Sequence, residues 1–262
     1  MILLMDVGNT NIKIGLANDK KTVKFWRIAT DTTRTADEFG MTLLDLLAVN
    51  NYKFSDVEGI IISSVVPSIN YTLEHMCSYY FKCKPIMVGQ NINTCIKIDY
   101  ANGLGGDRIV NAVAAYENYG GPIIIVDCGT ATTFGMVNAE GVFVGGMIAP
   151  GIKASMESFA RTAAKLPRIE LVKPENVVGK DTISNMQSGL IYGFTGLTSY
   201  IVNQIKQQPG FAGAKVVATG GMSQLITQID DKFIDIIDRA LSLKGLLILY
   251  KLNTKGDIQC EK

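Results

Sequence analysis

The sequence predicts an α/β protein made of two copies of one structural unit, with mixed sheets flanked by helices and a central cleft. Three observations lead there. An Asp-x-Gly hairpin pattern occurs once in each half of the chain, and strand-like and helix-like runs alternate along the remainder. The 262 residues, 47% of them hydrophobic and 19% charged, are enough to bury one large core or two smaller ones. That hydrophobic fraction and a formal net charge of +1 exclude a disordered chain. The same near-neutrality argues against general nucleic-acid binding, which needs a basic excess to displace counterions.

The first element is the repeat itself. Residues 2–18 read ILLMDVGNTNIKIGLAN and residues 123–138 read IIIVDCGTATTFGMVN. In each, an apolar run of strand length ends in Asp-x-Gly, small polar residues follow, and a second apolar stretch contains a glycine. Each copy therefore reads as two antiparallel strands joined by a tight polar turn. Asp6 corresponds to Asp127 and Gly8 to Gly129 at one spacing. Gly15 corresponds to Gly135 at a spacing one residue shorter, so the second copy lacks one residue.

The other elements follow in chain order. Ala36 to Val49 carries Phe39, Leu43, Leu44 and Leu47 at a helical period, with Asp37 and Glu38 favouring its N-terminus. Gly59 to Val66 is an apolar, β-branched run ended by Pro67 and reads as a buried strand. The segment around His75, with Tyr71, Met76, Tyr79 and Tyr80, is helix-like. Arg108 to Tyr119 is a helix after a glycine-rich loop. Lys215 to Thr219 is a strand running into Gly220-Gly221, followed by a helix around Ser223 to Ile229, and Ala240 to Tyr250 is a final apolar helix. The turn Tyr119-Gly120-Gly121-Pro122 is the best boundary, dividing the chain into domains 1–118 and 119–262.

Composition then removes whole classes of chemistry. With His75 as the single histidine, no two-His zinc site can form, and any Ser-His-Asp or Cys-His machinery would have to use it. The five cysteines (Cys77, Cys83, Cys95, Cys128, Cys260) are odd in number and contain no CxxC pair, so reduced thiols in a cytoplasm are expected. Met1 to Met5 meets Asp6 at once and lacks the layout of a signal peptide, and no apolar run approaches the roughly 18 residues that span a bilayer. A soluble cytoplasmic protein is expected.

Phosphate chemistry is narrowed by elimination. No GxxxxGK[ST] occurs, and Gly103-Leu104-Gly105-Gly106 has Arg108 where a dinucleotide fingerprint needs its last glycine. The two Asp-x-Gly turns remain. Their small polar residues (Asn9, Thr10 and Asn11; Thr130, Thr132 and Thr133) leave backbone N–H groups and hydroxyls to cradle phosphate oxygens, and Lys13 adds a positive charge. The aspartate at each strand end can hold a cation directly or through water. The alternative is two plain hairpin turns with Asp and Asn as local caps.

A duplicated strand–Asp-x-Gly–strand unit with a later Thr-Gly-Gly (Thr219 to Gly221) resembles the superfamily of acetate and sugar kinases, heat-shock chaperones and actin. Within it the chain resembles type III pantothenate kinase along nearly its whole length. The matching stretches are DVGNTN at 6–11, RT.DE at 34–38, SSVVP at 63–67, GGDRIVNA at 105–112, DCGTATT at 127–133, GGMIAPG at 145–151, GKDTISNMQSG at 179–189 and ATGG at 218–221. The chain departs from the family pattern at Gly106, where alanine is usual, and at Asp181, where asparagine is frequent. The resemblance implies duplicated actin-like (ribonuclease H-like) domains. It also implies ATP-dependent phosphorylation of the primary hydroxyl of pantothenate to 4′-phosphopantothenate, the first step of coenzyme A biosynthesis.

Site residues carry over by the same resemblance. Asp107 is the general base that accepts the hydroxyl proton, a role an always-ionised carboxylate can fill because phosphoryl transfer depends mostly on positioning and charge neutralisation. Read without the family, the alternative for Asp107 is the N-cap of the following helix. Arg108 suits a carboxylate-bearing substrate, since guanidinium binds carboxylate bidentately. Tyr100, Gly105, Gly106 and Thr182 complete the implied substrate contacts. Asp6, Val7, Gly8, Asn9, Thr10, Asn11, Ile12, Lys13 and Thr130 are the implied nucleotide contacts, with Asp6 orienting Mg2+ and Asp127 holding K+ or NH4+. A homodimer is implied, with no nucleic-acid or membrane partner. Competing readings are another phosphotransferase of the superfamily and a non-catalytic ATP-binding transcriptional regulator; the presence of Asp107, Arg108 and Thr182 favours the kinase. His75 and Cys128 read as structural, Cys128 as a buried filler.

Overall fold

The computed structural model describes residues 1–101, 103–163 and 166–254; Cys260 lies outside them. Two mixed sheets carry the fold. The first has the order β3-β2-β1-β4-β5, from β1 (Ile2–Val7), β2 (Asn11–Ala17), β3 (Thr22–Ala29), β4 (Gly59–Ser64) and β5 (Ile86–Met87). β1 runs antiparallel to β2 and parallel to β4. The second has the order β11-β10-β7-β8-β9-β6, from β6 (Lys97–Ile98), β7 (Ile123–Cys128), β8 (Ala131–Val137), β9 (Val142–Pro150), β10 (Lys215–Thr219) and β11 (Ile236–Ile237). Set β6 aside and the two sheets share one strand order and one pattern of directions, with β7 antiparallel to β8 and parallel to β10.

The duplication is visible residue by residue. Asp6 pairs with Lys13 and Val7 with Ile12; Asp127 pairs with Thr133 and Cys128 with Thr132. Gly15 faces Leu4 as Gly135 faces Ile125. The residue missing from the second copy is lost from the turn: Gly8 N–H donates to Asn11 O at 3.1 Å, whereas Gly129 N–H donates to Ala131 O at 3.1 Å. Both central strands are near-continuous buried runs, as parallel-paired strands covered on two faces must be.

Helices supply the cover. In α1 (Ala36–Ala48) the Thr35 Oγ1 accepts from Glu38 N–H while Glu38 Oε2 accepts from Thr35 N–H at 2.8 Å, a reciprocal cap; Phe39, Leu43 and Leu47 are buried. α2 (Asn70–Tyr80) packs beside α1 and buries Leu73, Met76 and Cys77. α3 (Gly106–Tyr119) begins two residues earlier than expected, and β4 stops at Ser64 because the Ser64 hydroxyl accepts from Val66 N–H and turns the chain. α4 (Ile152–Thr162), the 25-residue α5 (Thr182–Lys206) and the short α6 (Ser223–Thr227) belong to the second half. α5 escapes sequence periodicity because Gly189, Gly193 and Gly196 and its Ser and Thr residues dilute both propensity and pattern.

α7 (Leu241–Thr254) ends the described chain. It packs on β1, β2 and β4, with Leu241, Leu243, Leu246 and Leu249 buried. The compact units therefore differ from a single cut at 118/119. One comprises residues 1–95, 101–114 and 240–254, and the other residues 96–100 and 115–239. The reason is packing: α7 has its apolar contacts in the first sheet, and β6 pairs with β9 of the second. No helix among the described residues is long and apolar enough to cross a membrane.

Candidate active site

In the first unit, the side chains expected at the site lie on β1, β2 and α3. β1 delivers Asp6, which is 13% exposed at the side chain and 3.3 Å from Lys13 Nζ on the paired strand β2. The same Lys13 ammonium donates to Ser242 Oγ of α7 at 3.3 Å. Beyond Val7, which is buried, the tip residues Asn9, Thr10 and Asn11 are exposed, and Ile12 returns to the core. Thr30 clamps the base of the turn, donating from its Oγ1 to Gly8 O at 2.6 Å and from its N–H to Thr10 O at 3.0 Å. The turn is thus held from one side and open on the other.

Asp107 stands in the first turn of α3, after Gly105 and Gly106. Its Oδ1 accepts the N–H of Arg108 at 2.9 Å. Burial pushes the Asp107 carboxyl above the ordinary carboxylate range; the Arg108 N–H opposes this, the negative charge of Asp6 adds to it, and the Arg108 charge opposes it. Desolvation outweighs the favourable helix N-terminus. Asp107 is therefore a stronger base than an unperturbed aspartate. Gly106 is closely covered, since a Cβ there would lie 3.0 Å from Ser63 Oγ and 3.2 Å from Val88 O.

The second unit repeats the strand-end arrangement. Asp127 closes β7, and its Oδ1 lies against Gly220, where a Cβ would come within 2.6 Å. Gly220 has φ +90°, a conformation that only glycine adopts without strain, which explains the Thr-Gly-Gly after β10. Gly151 at the start of α4 abuts the carbonyls of Gly129 and Thr130, leaving no room for a side chain. Thr130 is exposed at the tip of this shorter turn. Tyr100 is 42% exposed and meets the Phe143 ring edge-on at 6.2 Å between centroids. Thr182 is the first residue of α5 and lines a cavity of about 760 Å³ with Ser155, Ser158, Asn185, Gly189 and Gly193.

The structure thus brings Asp6, Lys13, Gly105, Gly106, Asp107 and Arg108 into one unit, and Tyr100, Asp127, Thr130 and Thr182 into the other. Asp181 turns out to be the N-cap of α5: its carboxylate accepts Ser184 N–H at 2.9 Å and Ser184 Oγ at 2.8 Å, which hold its carboxyl below the usual range. Cys128 is buried, its thiol pushed up to about 12 by burial and by Asp127, so it is no nucleophile. His75 is exposed on α2 between the rings of Tyr71 and Tyr79.

Two hydroxyls went unnoticed in the sequence. Ser63 is the register partner of Asp6 on β4, and Thr219 that of Asp127 on β10; both are 1% exposed. The signal was present, because both residues lie within matched stretches, SSVVP and ATGG, but their neighbours are set by strand pairing alone.

No group of three or more His, Cys, Asp or Glu side chains suited to a metal occurs among the described residues. A nucleotide-bound Mg2+ is held through one or two carboxylates together with phosphate oxygens and water rather than in an all-protein cage. Asp6, carboxylate-bearing and beside an open polar turn, fits such a donor set.

A family model described as type III pantothenate kinase matches residues 2–204. Similar solved structures include a protein described as a Baf family transcriptional activator from Campylobacter jejuni, at 21% identity over 96% of this chain and 98% of that one, TM-score 0.60. Another is the activator of the 2-hydroxyisocaproyl-CoA dehydratase from Clostridium difficile with bound ADPNP, at 15% identity over 96% and 94%, TM-score 0.57. A third is MreB 5 of Spiroplasma citri bound to AMPPNP, at 13% identity over 97% of each chain, TM-score 0.54. Likenesses at these identities show the fold, which is the actin-like ATPase fold expected from the repeat.

Proposed function

Because the chain belongs to the type III pantothenate kinase family, and is thus a phosphotransferase, we propose that it transfers the γ-phosphoryl group of ATP to the primary hydroxyl of pantothenate. The observation that carries this reading is Asp107: a carboxylate of raised basicity in the first turn of α3, beside Asp6 of the phosphate turn. In this reading Asp107 accepts the hydroxyl proton as the oxygen attacks phosphorus. Arg108 pairs with the pantothenate carboxylate, and Tyr100, Gly105, Gly106 and Thr182 contact the rest of the substrate.

Nucleotide binding is assigned to residues 6–13 and to Thr130, whose open turns offer N–H groups to phosphate oxygens. Two neighbours of the same fold are solved with ADPNP and AMPPNP, which supports a nucleotide here. Mg2+, when bound beside Asp6, neutralises charge on the phosphates; Lys13 contributes a further positive charge. Asp127 is assigned the monovalent cation, K+ or NH4+. A homodimer is part of the proposal, supported by the family resemblance and by the exposed Phe159, Ile183 and Tyr200 on α4 and α5; sedimentation of the purified protein tests it.

The deciding assay is pantothenate-dependent release of ADP, repeated with K+ exchanged for Na+. Turnover with pantothenate, lost or strongly reduced in Na+, is expected. Absence of release at every pantothenate concentration overturns the substrate assignment, and equal rates in the two salts overturn the cation assignment.

A further inference from the structure

Ser63 is a buried polar group for which neither the packing nor the mechanism above has a use. Its Oγ has no hydrogen-bond partner among the described residues. A buried hydroxyl left unpaired is costly, so its retention calls for a partner that arrives later. The adjacent Ser64 already serves the turn after β4 by accepting from Val66 N–H at 3.1 Å. Ser63 does not serve the turn.

Its surroundings identify what it serves. Ser63 and Asp6 are register partners on the parallel strands β4 and β1, so their side chains leave the sheet on the same face. Over that face lies Gly106, close enough that an added Cβ would stand 3.0 Å from Ser63 Oγ. Asp6 meanwhile holds the Lys13 ammonium at 3.3 Å. A polyphosphate seated on the 8–11 turn carries more negative charge than Asp6 and competes for that ammonium. Once Lys13 turns away, Asp6 loses its ammonium partner, and a neighbouring donor must hold one oxygen of its carboxylate in place.

We propose that Ser63 is a positioning residue of the phosphoryl-transfer site: its hydroxyl donates to the Asp6 carboxylate when Lys13 moves to the nucleotide phosphates, fixing how Asp6 presents its other oxygen. The proposal rests on the kinase reading. The second half of the molecule supports it independently. Thr219 occupies the matching place beside Asp127, is 1% exposed, and its Oγ1 likewise lacks a partner among the described residues. A hydroxyl kept beside the strand-end aspartate in both copies, as serine in one and threonine in the other, belongs with the aspartate and not with local side-chain packing.

The test compares wild type, Ser63→Ala and Ser63→Thr in two measurements. The first is the unfolding temperature without ligand and with rising ATP plus Mg2+, from which an apparent Kd follows by mass action. The second is steady-state turnover. Expected for Ser63→Ala are an undiminished ligand-free unfolding temperature, a nucleotide Kd about tenfold weaker, and kcat/KM for ATP lower by about tenfold with the pantothenate KM unchanged. Ser63→Thr, which keeps the hydroxyl, restores both to within about twofold of wild type. Should the threonine not fold, Ser63→Cys replaces it and must behave like alanine, having only a weak donor. Wild-type nucleotide affinity in Ser63→Ala overturns the proposal. So does a loss that tracks a lowered ligand-free unfolding temperature, or a folded threonine variant as weak as alanine. If wild type binds ATP but does not turn over pantothenate, the substrate reading fails while the binding comparison still decides on Ser63.

Discussion

At the scale of single residues, Asp107, the proposed general base, has its carboxyl raised above the ordinary carboxylate range, chiefly by burial. Its raised carboxyl has a definite sign in both activity and stability. The basic form accumulates only as pH rises through the folded-state value, so the acid limb of kcat should lie above the ordinary aspartate range. For stability, protonated Asp107 is the form the fold prefers. Its contribution is full below the unfolded value and is lost as pH rises through the folded one. Asp107→Asn is therefore expected to lower kcat by about a thousandfold while leaving nucleotide binding intact and the unfolding temperature at pH 7 no lower than wild type. Near-normal turnover in that variant would falsify the base assignment. Asp181 has the opposite sign. Its carboxyl is held down by Ser184, so the cap it provides is present above the unfolded value and is lost as pH falls through the folded one. Asp181→Ala should lower the unfolding temperature at pH 7, with the difference from wild type closing in acid.

At the scale of elements, the site depends on how closely α7 and α3 approach. Gly245 of α7 sits against Val110 of α3, where an added Cβ would stand 2.1 Å from the carbonyl oxygen. Backbone cannot yield as a side chain can. Gly245→Ala is expected to cost about 3 kcal/mol in chemical denaturation, by forcing the helices apart. Because α3 carries Asp107 and α7 carries the Ser242 partner of Lys13, kcat in this variant should fall even at temperatures where it stays folded. Folded protein with unchanged kcat would detach the helix contact from the site. The hairpins were legible at this scale because apolar runs of strand length and the Asp-x-Gly turns that end them are local signals. α5 was not, because its identity as one 25-residue helix rests on the Asp181 cap and on burial of residues such as Met186, Leu190 and Ile191, which a glycine-interrupted pattern hides.

At the scale of the whole molecule, the chain is divided by packing and not by a single point in its length. The last described helix belongs with the first sheet, where Leu246 is fully buried. Leu246→Ala should destabilise the protein by about 3 kcal/mol. Removing everything after Arg239 strips the cover from β1 and β4, so the truncated chain should expose its apolar sheet and bind a hydrophobic dye. A truncated protein with native near-ultraviolet circular dichroism and no dye binding would refute that.

What the sequence determined alone was whatever is written in neighbouring residues. The two hairpins, the aspartate closing each first strand, the lost turn residue and the glycines around Asp107 all follow from runs short enough to read locally. So does the exclusion of a two-histidine metal site, since the sequence has one histidine. What only tertiary structure decided was adjacency across the chain. Ser63 meets Asp6 and Thr219 meets Asp127 through parallel pairing, which carries no local signature because parallel strands are joined by long crossovers. The basicity of Asp107 was equally invisible. It comes from burial and from the charge of Asp6, and both exist only once distant segments are packed.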